Sequence, residues 1–492
     1  MQKKQKNVVT ETMRVKNTAE NKVEYFTQKK SANANYVREK SGSEISAREM
    51  ALELLLLILE QGEYSHRVIN KKLNEWNVEK RERAFATRLC EGTIERCMEM
   101  DWILSQYSKT PVSKMKPVIR ALLRMSVYQI KYMSQVPDSA VCNEAVKLAK
   151  KRGFQGLSGF VNGVLRTIIR EHVTEYPDMT KEPVRSMVLR YSMPEWLVKQ
   201  MLAQYDLETA QKVFSTFLEA EKGTILRCNE SRIEKVVLLE KMRAEGIFVE
   251  DAPYIKEALL VKEYNRVEEL PGFAEGAFYV QDVSSMLAVR AAGLKKGDKV
   301  LDVCAAPGGK SLYAAELLTQ YGAGTVEARD VSEYKVGLLQ ENIARSGYTN
   351  MTATCQDATV KDEASKDAYD VVIADLPCSG LGIIGKKPEI KYRVTKQNEE
   401  ELCCLQRNIL NTIADYVKVG GTLLYSTCTW NKQENEENFK WFCKKYGYEP
   451  MSLEDTLPEE LWSETTKDGY LQLLPGVHKC DGFFLAKCRR IN

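Results

Sequence analysis

Histidine is scarce in this chain: His66, His172 and His478 are the only three in 492 residues. None lies near any motif described below, which argues against a histidine-based catalytic site. The 13 cysteines include no CxxC pair, and Cys403 and Cys404 are adjacent. Zinc-binding spacing is therefore missing, and no metal is expected. Long apolar runs are missing too. The run Leu54-Leu-Leu-Leu-Ile-Leu59 is far shorter than the roughly 20 residues of a membrane span, so no membrane association is expected. The lysine-rich start lacks the apolar core of a secretory signal. These features describe a cytoplasmic chain with reduced thiols. The formal net charge is only +3, so a basic partner surface has to be a local patch.

What is present is an ordinary globular composition, 44% apolar and 28% charged. The length allows about three domains. Residues 1–44 are polar and carry Lys3, Lys4, Lys6, Lys29 and Lys30 without apolar periodicity, and are expected to be a disordered tail. Residues 45–172 read as an all-α domain. Ala51, Leu54, Leu55 and Ile58 recur at helical spacing, with Ser46 and Glu49 spaced as a capping box. Further helices are expected near 83–97, 116–133, 139–152 and 159–170. Arg120, Arg124, Lys147, Lys150, Lys151, Arg152 and Arg166 punctuate them, and form an RNA patch if they share a face. Residues 173–275, interrupted by Pro183, Pro194, Pro253 and Pro271, read as a small α+β subdomain. Residues 276–492 alternate strands with helices. That alternation implies a parallel sheet covered on both faces, a Rossmann-like α/β core.

Three segments of the core carry chemistry. The first strand runs into Cys304-Ala305-Ala306-Pro307-Gly308-Gly309-Lys310 before a helix. Glycines there let a ligand approach the backbone at the carboxyl end of a strand. By spacing alone, a tight turn and a ligand site are equally served, and G-x-G-x-x-G is not present. Asp330 ends the next strand, about 20 residues on, where a carboxylate can accept from ribose hydroxyls. Asp357 follows the third strand, where an adenine can be read.

The second and third segments are Asp375-Leu-Pro-Cys378 and Ser426-Thr-Cys428. Lone cysteines at strand ends are usually small buried hydrophobes. Two of them at the ligand edge permit thiol chemistry on a pyrimidine. Cytosine C5 is a poor nucleophile, but a thiolate adding to C6 turns the ring into an enamine that attacks an electrophilic methyl group. The residues by themselves do not say which cysteine attacks. Asp375 is available to hold the cytosine's polar edge.

In this order, Asp302-Val-Cys-Ala-Ala-Pro-Gly-Gly-Lys310, Asp375-Leu-Pro-Cys-Ser-Gly380 and Ser426-Thr-Cys428 resemble the Sun family of RNA cytosine-C5 methyltransferases. Val141-Cys-Asn-Glu-Ala145 and Gly159-Phe-Val-Asn-Gly-Val-Leu-Arg166 resemble the last helices of the RNA-binding NusB fold. That fusion is similar to the bacterial subgroup acting on small-subunit rRNA. The resemblance implies Cys428 as nucleophile and Cys378 as the cysteine assisting product release. It implies Asp375 as a catalytic-site acid, with Lys310 near the reaction centre. Residues Cys304 to Lys310, Asp330, Lys335, Asp357 and Asp375 would hold S-adenosyl-L-methionine. Lys335 stands where many relatives carry arginine. Glu327 and Arg329 replace apolar or small residues. Lys386-Lys-Pro-Glu-Ile-Lys391 would be a basic loop near the substrate. The implied partner of this monomer is 16S rRNA with an unpaired or flipped cytosine. The same reaction on tRNA or another RNA is the alternative, as is a catalytically silent RNA-binding or assembly factor.

Overall fold

The computed structural model describes residues 45–76, 78–171, 175–219 and 223–492. The expected tail and the expected boundary at 172/173 lie outside the described residues. From Ala47 onward the chain forms one contact unit.

The N-terminal region is all helical: Ala47–Leu55 with a π turn at Leu56–Glu60, then Ser65–Glu75, Lys80–Glu95, Cys97–Tyr107, Pro117–Tyr132, Asp138–Lys151 and Ser158–Glu171. Helix Pro117–Tyr132 is the axis. It starts on a proline at its first turn, where no N–H is needed. Ile119, Leu122, Leu123 and Val127 are buried, and the helix packs on those starting at Ala47, Lys80, Cys97, Asp138 and Ser158. Glu49, in the first turn of the first helix, pairs with Lys151 at 2.6 Å and Arg152 at 3.5 Å, tying the two ends of the domain.

Three more helices, Pro183–Arg190, Glu195–Gln204 and Leu207–Thr216, form a connector. Their apolar faces share a cluster with Leu381, Ile384 and Trp430 of the C-terminal core. The first part of the expected α+β segment is thus purely helical. The strands come later: β1 (Thr224–Cys228), β2 (Phe248–Asp251), β3 (Ala258–Lys262) and β4 (Phe278–Val280) make an antiparallel sheet in the order β2-β3-β1-β4. Helix Lys235–Ala244 crosses between β1 and β2. Strand β4 lies past residue 275, so the expected boundary falls one strand too early. Its run Phe-Tyr-Val reads locally like a core strand, and only its pairing with β1 assigns it.

The core sheet has eight strands: β5 (Lys299–Asp302), β6 (Thr325–Asp330), β7 (Met351–Cys355), β8 (Tyr369–Asp375), β9 (Val417–Thr427), β10 (Tyr448–Pro450), β11 (Tyr470–Leu473) and β12 (Phe483–Arg490). The order is β10-β12-β9-β8-β5-β6-β7, with β11 also on β12. Strands β5 to β9 are parallel, but β10, β11 and β12 join antiparallel. The sheet is therefore mixed, not fully parallel as the alternation implied. Val300 and Leu301 of β5 face opposite clusters, so helices bury both faces.

Between β8 and helix Lys396–Ile413 the chain leaves the core and docks on the N-terminal helices. Glu389 is 1% exposed; its carboxylate accepts from Ser65 N at 3.0 Å and Ser65 Oγ at 2.9 Å. It thereby meets orphan donors at the start of helix Ser65–Glu75. Lys391, also 1% exposed, donates to the Glu95 carbonyl at 2.6 Å, at the end of helix Lys80–Glu95. Tyr392 donates to the Ile94 carbonyl at 2.8 Å, and Arg393 to those of Ile58 and Glu63. Both charges sit where a helix end complements them. The Lys386–Lys391 segment is thus largely a strap between domains. Only Lys386 turns to the open side.

Glu389→Ala should leave a buried N–H and hydroxyl without their acceptor, costing about 1–3 kcal/mol. Urea unfolding, with limited proteolysis of the 60–80 region, checks this; a loss under about 0.5 kcal/mol would mean the strap holds by apolar packing alone.

Candidate active site

The strand order reverses between β5 and β8, and such switch points open a crevice at the carboxyl edge. The edge reads, across the sheet, Cys428 after β9, Asp375 and Cys378 at β8, the glycine turn after β5, Asp330 at the end of β6, and Asp357 after β7. The glycine turn, the three aspartates Asp330, Asp357 and Asp375, and both cysteines lie along this edge, while Lys335 sits on the helix after β6 and the Lys386–Lys391 loop lies away from it.

The glycine turn is built for close approach. Gly308 sits at φ 111°, a left-handed conformation that favours glycine, and an added Cβ would meet Leu339 at 2.9 Å. Its N–H donates to the Ala305 carbonyl at 2.8 Å, and Asn342 donates to the Pro307 carbonyl at 3.0 Å. Cys304 is half-buried, and burial pushes its thiol above the usual range. Asp330 is buried; its carboxylate accepts from Ala306 N and Ser332 N, both at 3.3 Å, and lies 3.3 Å from the Lys335 ammonium. Lysine at this position thus reaches the acid as a point charge. Asp357 closes its own turn, accepting from Thr359 N at 2.8 Å and Thr359 Oγ1 at 2.7 Å. Glu327 and Arg329 pair with each other at 2.7 Å, and Arg329 donates to Ser365 and Tyr369, each at 2.9 Å. The two charges compensate one another.

The other half of the edge is a charged line. Lys310, on the first turn of helix Gly309–Gln320, reaches Asp375 Oδ2 at 2.6 Å. Ser426 donates to Asp375 Oδ1 at 2.7 Å. Burial opposes the charge on Lys310, yet the Asp375 carboxylate outweighs it and holds the ammonium above its usual range. Its ammonium also lies 5.1 Å from the centre of the Phe483 ring, on β12. Beside this line the sulfurs of Cys378 and Cys428 approach to 3.3 Å, and Cys428 N lies 3.3 Å from the Cys378 sulfur. The hydrogen bond with the Cys428 sulfur first, and burial second, push the Cys378 thiol well above its usual range.

Four participants were not singled out in the sequence. Asp302 is buried, accepts from Ser311 Oγ at 2.6 Å, and is pushed up to about 7 by burial. Ser426 fixes Asp375. Glu434 is fully buried and accepts from Ser379 N at 2.9 Å, Gln406 Nε2 at 3.0 Å and Asn431 Nδ2 at 3.2 Å. Gln406 also donates to the Pro377 carbonyl at 2.9 Å, so both residues clamp the Cys378 loop. Asp302 and Ser426 stand inside the quoted motifs. Glu434 and Gln406 carried no local signal. Among the described residues no cluster could hold a metal ion, and no helix is long and apolar enough to cross a membrane.

Glu434→Gln should turn an acceptor-only clamp into one with donors facing donors, losing about 1–3 kcal/mol. Urea unfolding reads the loss. The alkylation rate of the cysteine pair by iodoacetamide should change with it; unchanged rate and stability together would exclude the clamp.

Comparison with known proteins agrees with this geometry. The family model "16S rRNA methyltransferase RsmB/F" matches residues 290–489, the NusB family model 45–170, and a ferredoxin-like domain of RsmF/B-like methyltransferases 193–268. A Bacillus subtilis protein named probable ribosomal RNA small subunit methyltransferase B is 38% identical over 448 residues, 90% of this chain and 99% of that one. The solved structure of PH0851 superposes with a TM-score of 0.76 over 92% of this chain and all of that one, at 23% identity. NSun6 from Pyrococcus horikoshii, solved with SFG, superposes with a TM-score of 0.53 over 61% of this chain and 98% of that one, at 22% identity. A helical domain matching NusB, a ferredoxin-like sheet and a Rossmann-like core with cysteines at its carboxyl edge make up one architecture, and the chain belongs to the RsmB/F family of 16S rRNA methyltransferases.

Proposed function

We propose that the chain transfers a methyl group from S-adenosylmethionine to C5 of an unpaired or flipped cytosine in 16S rRNA, through a covalent adduct with Cys428. The observation that carries this reading is the 3.3 Å approach of two thiols beside the Lys310–Asp375 pair, at the edge that also bears the glycine turn and Asp330. The names of the relatives support 16S rRNA as the substrate. SFG, the S-adenosylmethionine analogue solved with NSun6, supports the cofactor class.

The residues fit such a cofactor. The bare backbone from Cys304 to Gly309 would admit it closely, Asp330 would accept from ribose hydroxyls, and Asp357 would contact the adenine. Lys335 neutralises Asp330. The bound cofactor supplies an electrophilic methyl group. Everything else falls to side chains of this chain.

Cys428 adds its sulfur to C6, and the displaced pair makes C5 nucleophilic. Two adjacent thiols do not both ionise readily. The hydrogen bond with the Cys428 sulfur and burial push the Cys378 thiol up, which keeps it protonated beside the attacking sulfur. Asp375, held by Lys310 and Ser426, faces the polar edge of the cytosine. Once C5 carries the methyl group, its proton leaves to a base and the S–C6 pair returns to Cys428. Cys378, next to that sulfur, assists the release. A stacked base hides C5 and C6, so the target must be out of its helix.

Bisulfite sequencing of 16S rRNA from cells with and without this protein tests the reading directly. One cytosine should lose protection in the deletion; no change at any cytosine would overturn it. Cys428→Ala should abolish tritium transfer to under-methylated small-subunit RNA while cofactor affinity stays constant. Residual activity above about a hundredth of wild type, a loss under roughly 2.7 kcal/mol, would exclude an obligate nucleophile. Cys378→Ala should still attack and methylate but stall, retaining RNA through denaturing electrophoresis and releasing it on nuclease treatment. Trapping by Cys428→Ala instead would exchange the two roles.

Asp330→Ala should weaken S-adenosylmethionine binding by about 1.5–3 kcal/mol, the scale of hydrogen bonds to a charged group. Calorimetry on the folded variant measures it, and an unchanged dissociation constant would refute the ribose contact.

A further inference from the structure

The cations that punctuate the N-terminal helices are mostly occupied. Arg120 pairs with Glu60 and Arg124 with Asp101, each at 2.6 Å. Lys147 pairs with Glu144 at 2.7 Å, Lys151 with Glu49 at 2.6 Å, and Arg152 with Glu53 at 2.8 Å. Arg166 rests on Asn162 at 3.2 Å. A surface built from internal ion pairs offers little net charge to a polyanion. The electrostatic attraction for RNA has to come from elsewhere.

A cleft of about 650 Å³ opens where the helical domain, the antiparallel sheet and the core meet. Helix Lys80–Glu95 forms one wall. Lys80, Arg83, Ala84, Thr87, Arg88, Glu91 and Glu95 line it, and their spacing puts them on one helical face. Facing them are Tyr264 and Asn265 after β3 and Val280 of β4, which is 55% exposed. The floor is Gly385 and Lys386, from the loop that begins at Cys378.

The wall is graded in charge. Its outer turns carry Lys80, Arg83 and Arg88. Arg83 donates to Asn74 Oδ1 at 2.8 Å and Asn70 Oδ1 at 3.3 Å, both neutral groups. Its inner turns carry Glu91 and Glu95, next to the strap that Lys391 pins to the Glu95 carbonyl. Glu219 also lines the cleft. The floor is tied to the cysteine edge by a short chain of bonds. Lys386 bridges Asp282 at 2.7 Å and Asp481 at 2.6 Å; Gly482 N donates to the Gly382 carbonyl at 3.0 Å; Gly382 N donates to the Cys428 carbonyl at 3.0 Å.

We propose that this three-walled cleft is the path by which the single strand flanking the target base reaches Cys428. Phosphates lie along Lys80, Arg83 and Arg88, and bases point inward. Phosphate contacts are confined to the outer turns, since the inner turns carry acids. Tyr264, half-buried, lines the cleft and is an aromatic residue of the kind on which single-stranded RNA bases stack. The volume lies within the roughly 300–1,000 Å³ of ligand clefts, and sequence-specific RNA recognition targets single-stranded segments. The proposal rests on the RNA methyltransferase reading.

The test compares two double variants of the full chain. One is Lys80→Ala with Arg83→Ala, in the cleft. The other, the outer variant, is Lys147→Ala with Lys151→Ala, two lysines of helix Asp138–Lys151 that already pair with Glu144 and Glu49. The probe is an unmethylated small-subunit rRNA transcript, bound across a salt series. The cleft variant should bind about tenfold more weakly, and its slope of log K against log salt should shrink by roughly 1.4, two phosphate contacts at ~0.7 each. The outer variant should change affinity less than about twofold, the scale of exposed ion pairs. Unchanged cofactor affinity in both certifies folding, and Lys80→Glu alone, at an exposed position, is the second variant. Equal losses in the two double variants, or an unchanged slope in the cleft variant, overturn the cleft. If the wild type shows the cleft-dependent slope but transfers no methyl group to RNA, the methyltransferase reading fails and the cleft stands. If transfer is intact and the slope is unmoved, the cleft alone fails.

Discussion

The docking of Glu389 and Lys391 onto the N-terminal helices is the constraint on which the arrangement depends. Burying an unpartnered charge is expensive, so each charge on this strap needs a partner. Helix ends provide them, since the first N–H groups and last C=O groups have no partner within the helix. The Glu389 carboxylate meets donors at Ser65, and the Lys391 ammonium meets the Glu95 carbonyl. The same loop carries Cys378 at its start. The Cys378 loop is therefore tied to the helical domain by a stretch of chain whose anchors cannot be exposed cheaply.

The carboxyl edge of the sheet divides its work by strand. Strands β5, β6 and β7 present a bare backbone and acids suited to a nucleoside. Strands β8 and β9 present the thiols and the Lys310–Asp375 pair. Lys310 belongs to both, because its helix starts at the glycine turn while its ammonium ends at β8. The antiparallel β12 has a place in this scheme. It pairs with β9 and brings Phe483 against Lys310 and Asp481 against Lys386, so the last strand closes the side of the site that parallel strands leave open.

Acid groups are numerous here, and their settings differ. Asp302 is buried against a hydroxyl and pushed up to about 7 by burial. Glu434 is also pushed up by burial, with three donors from Ser379, Gln406 and Asn431 opposing that. Asp375 alone has a direct lysine partner within the cysteine half of the edge. The loop geometry around Cys378 thus rests on buried hydrogen bonds, while the charge beside the two cysteines rests on one ion pair.

By itself the sequence determined what depends on neighbours along the chain. Period-two and period-3.6 patterns carried the helices and the parallel strands. Glycine at positive φ after a strand, and acids and cysteines at strand ends, carried the candidate site, because in a parallel α/β sheet the carboxyl end of every strand lies on the same edge. Tertiary structure alone decided what depends on partners far away. The Phe278–Val280 segment looks like a core strand until β1 claims it. The last strands look parallel until β12 runs back along β9. Glu434 and Gln406 look like ordinary helix-surface residues until the Cys378 loop folds over them. The basic punctuation of the helices looks like an RNA patch until acids up to about a hundred residues away neutralise it, as Glu49 does for Lys151. Sequence periodicity reports which face of an element is apolar. It does not report which charged side chain will find a buried partner, because that choice is made by the packing of whole domains.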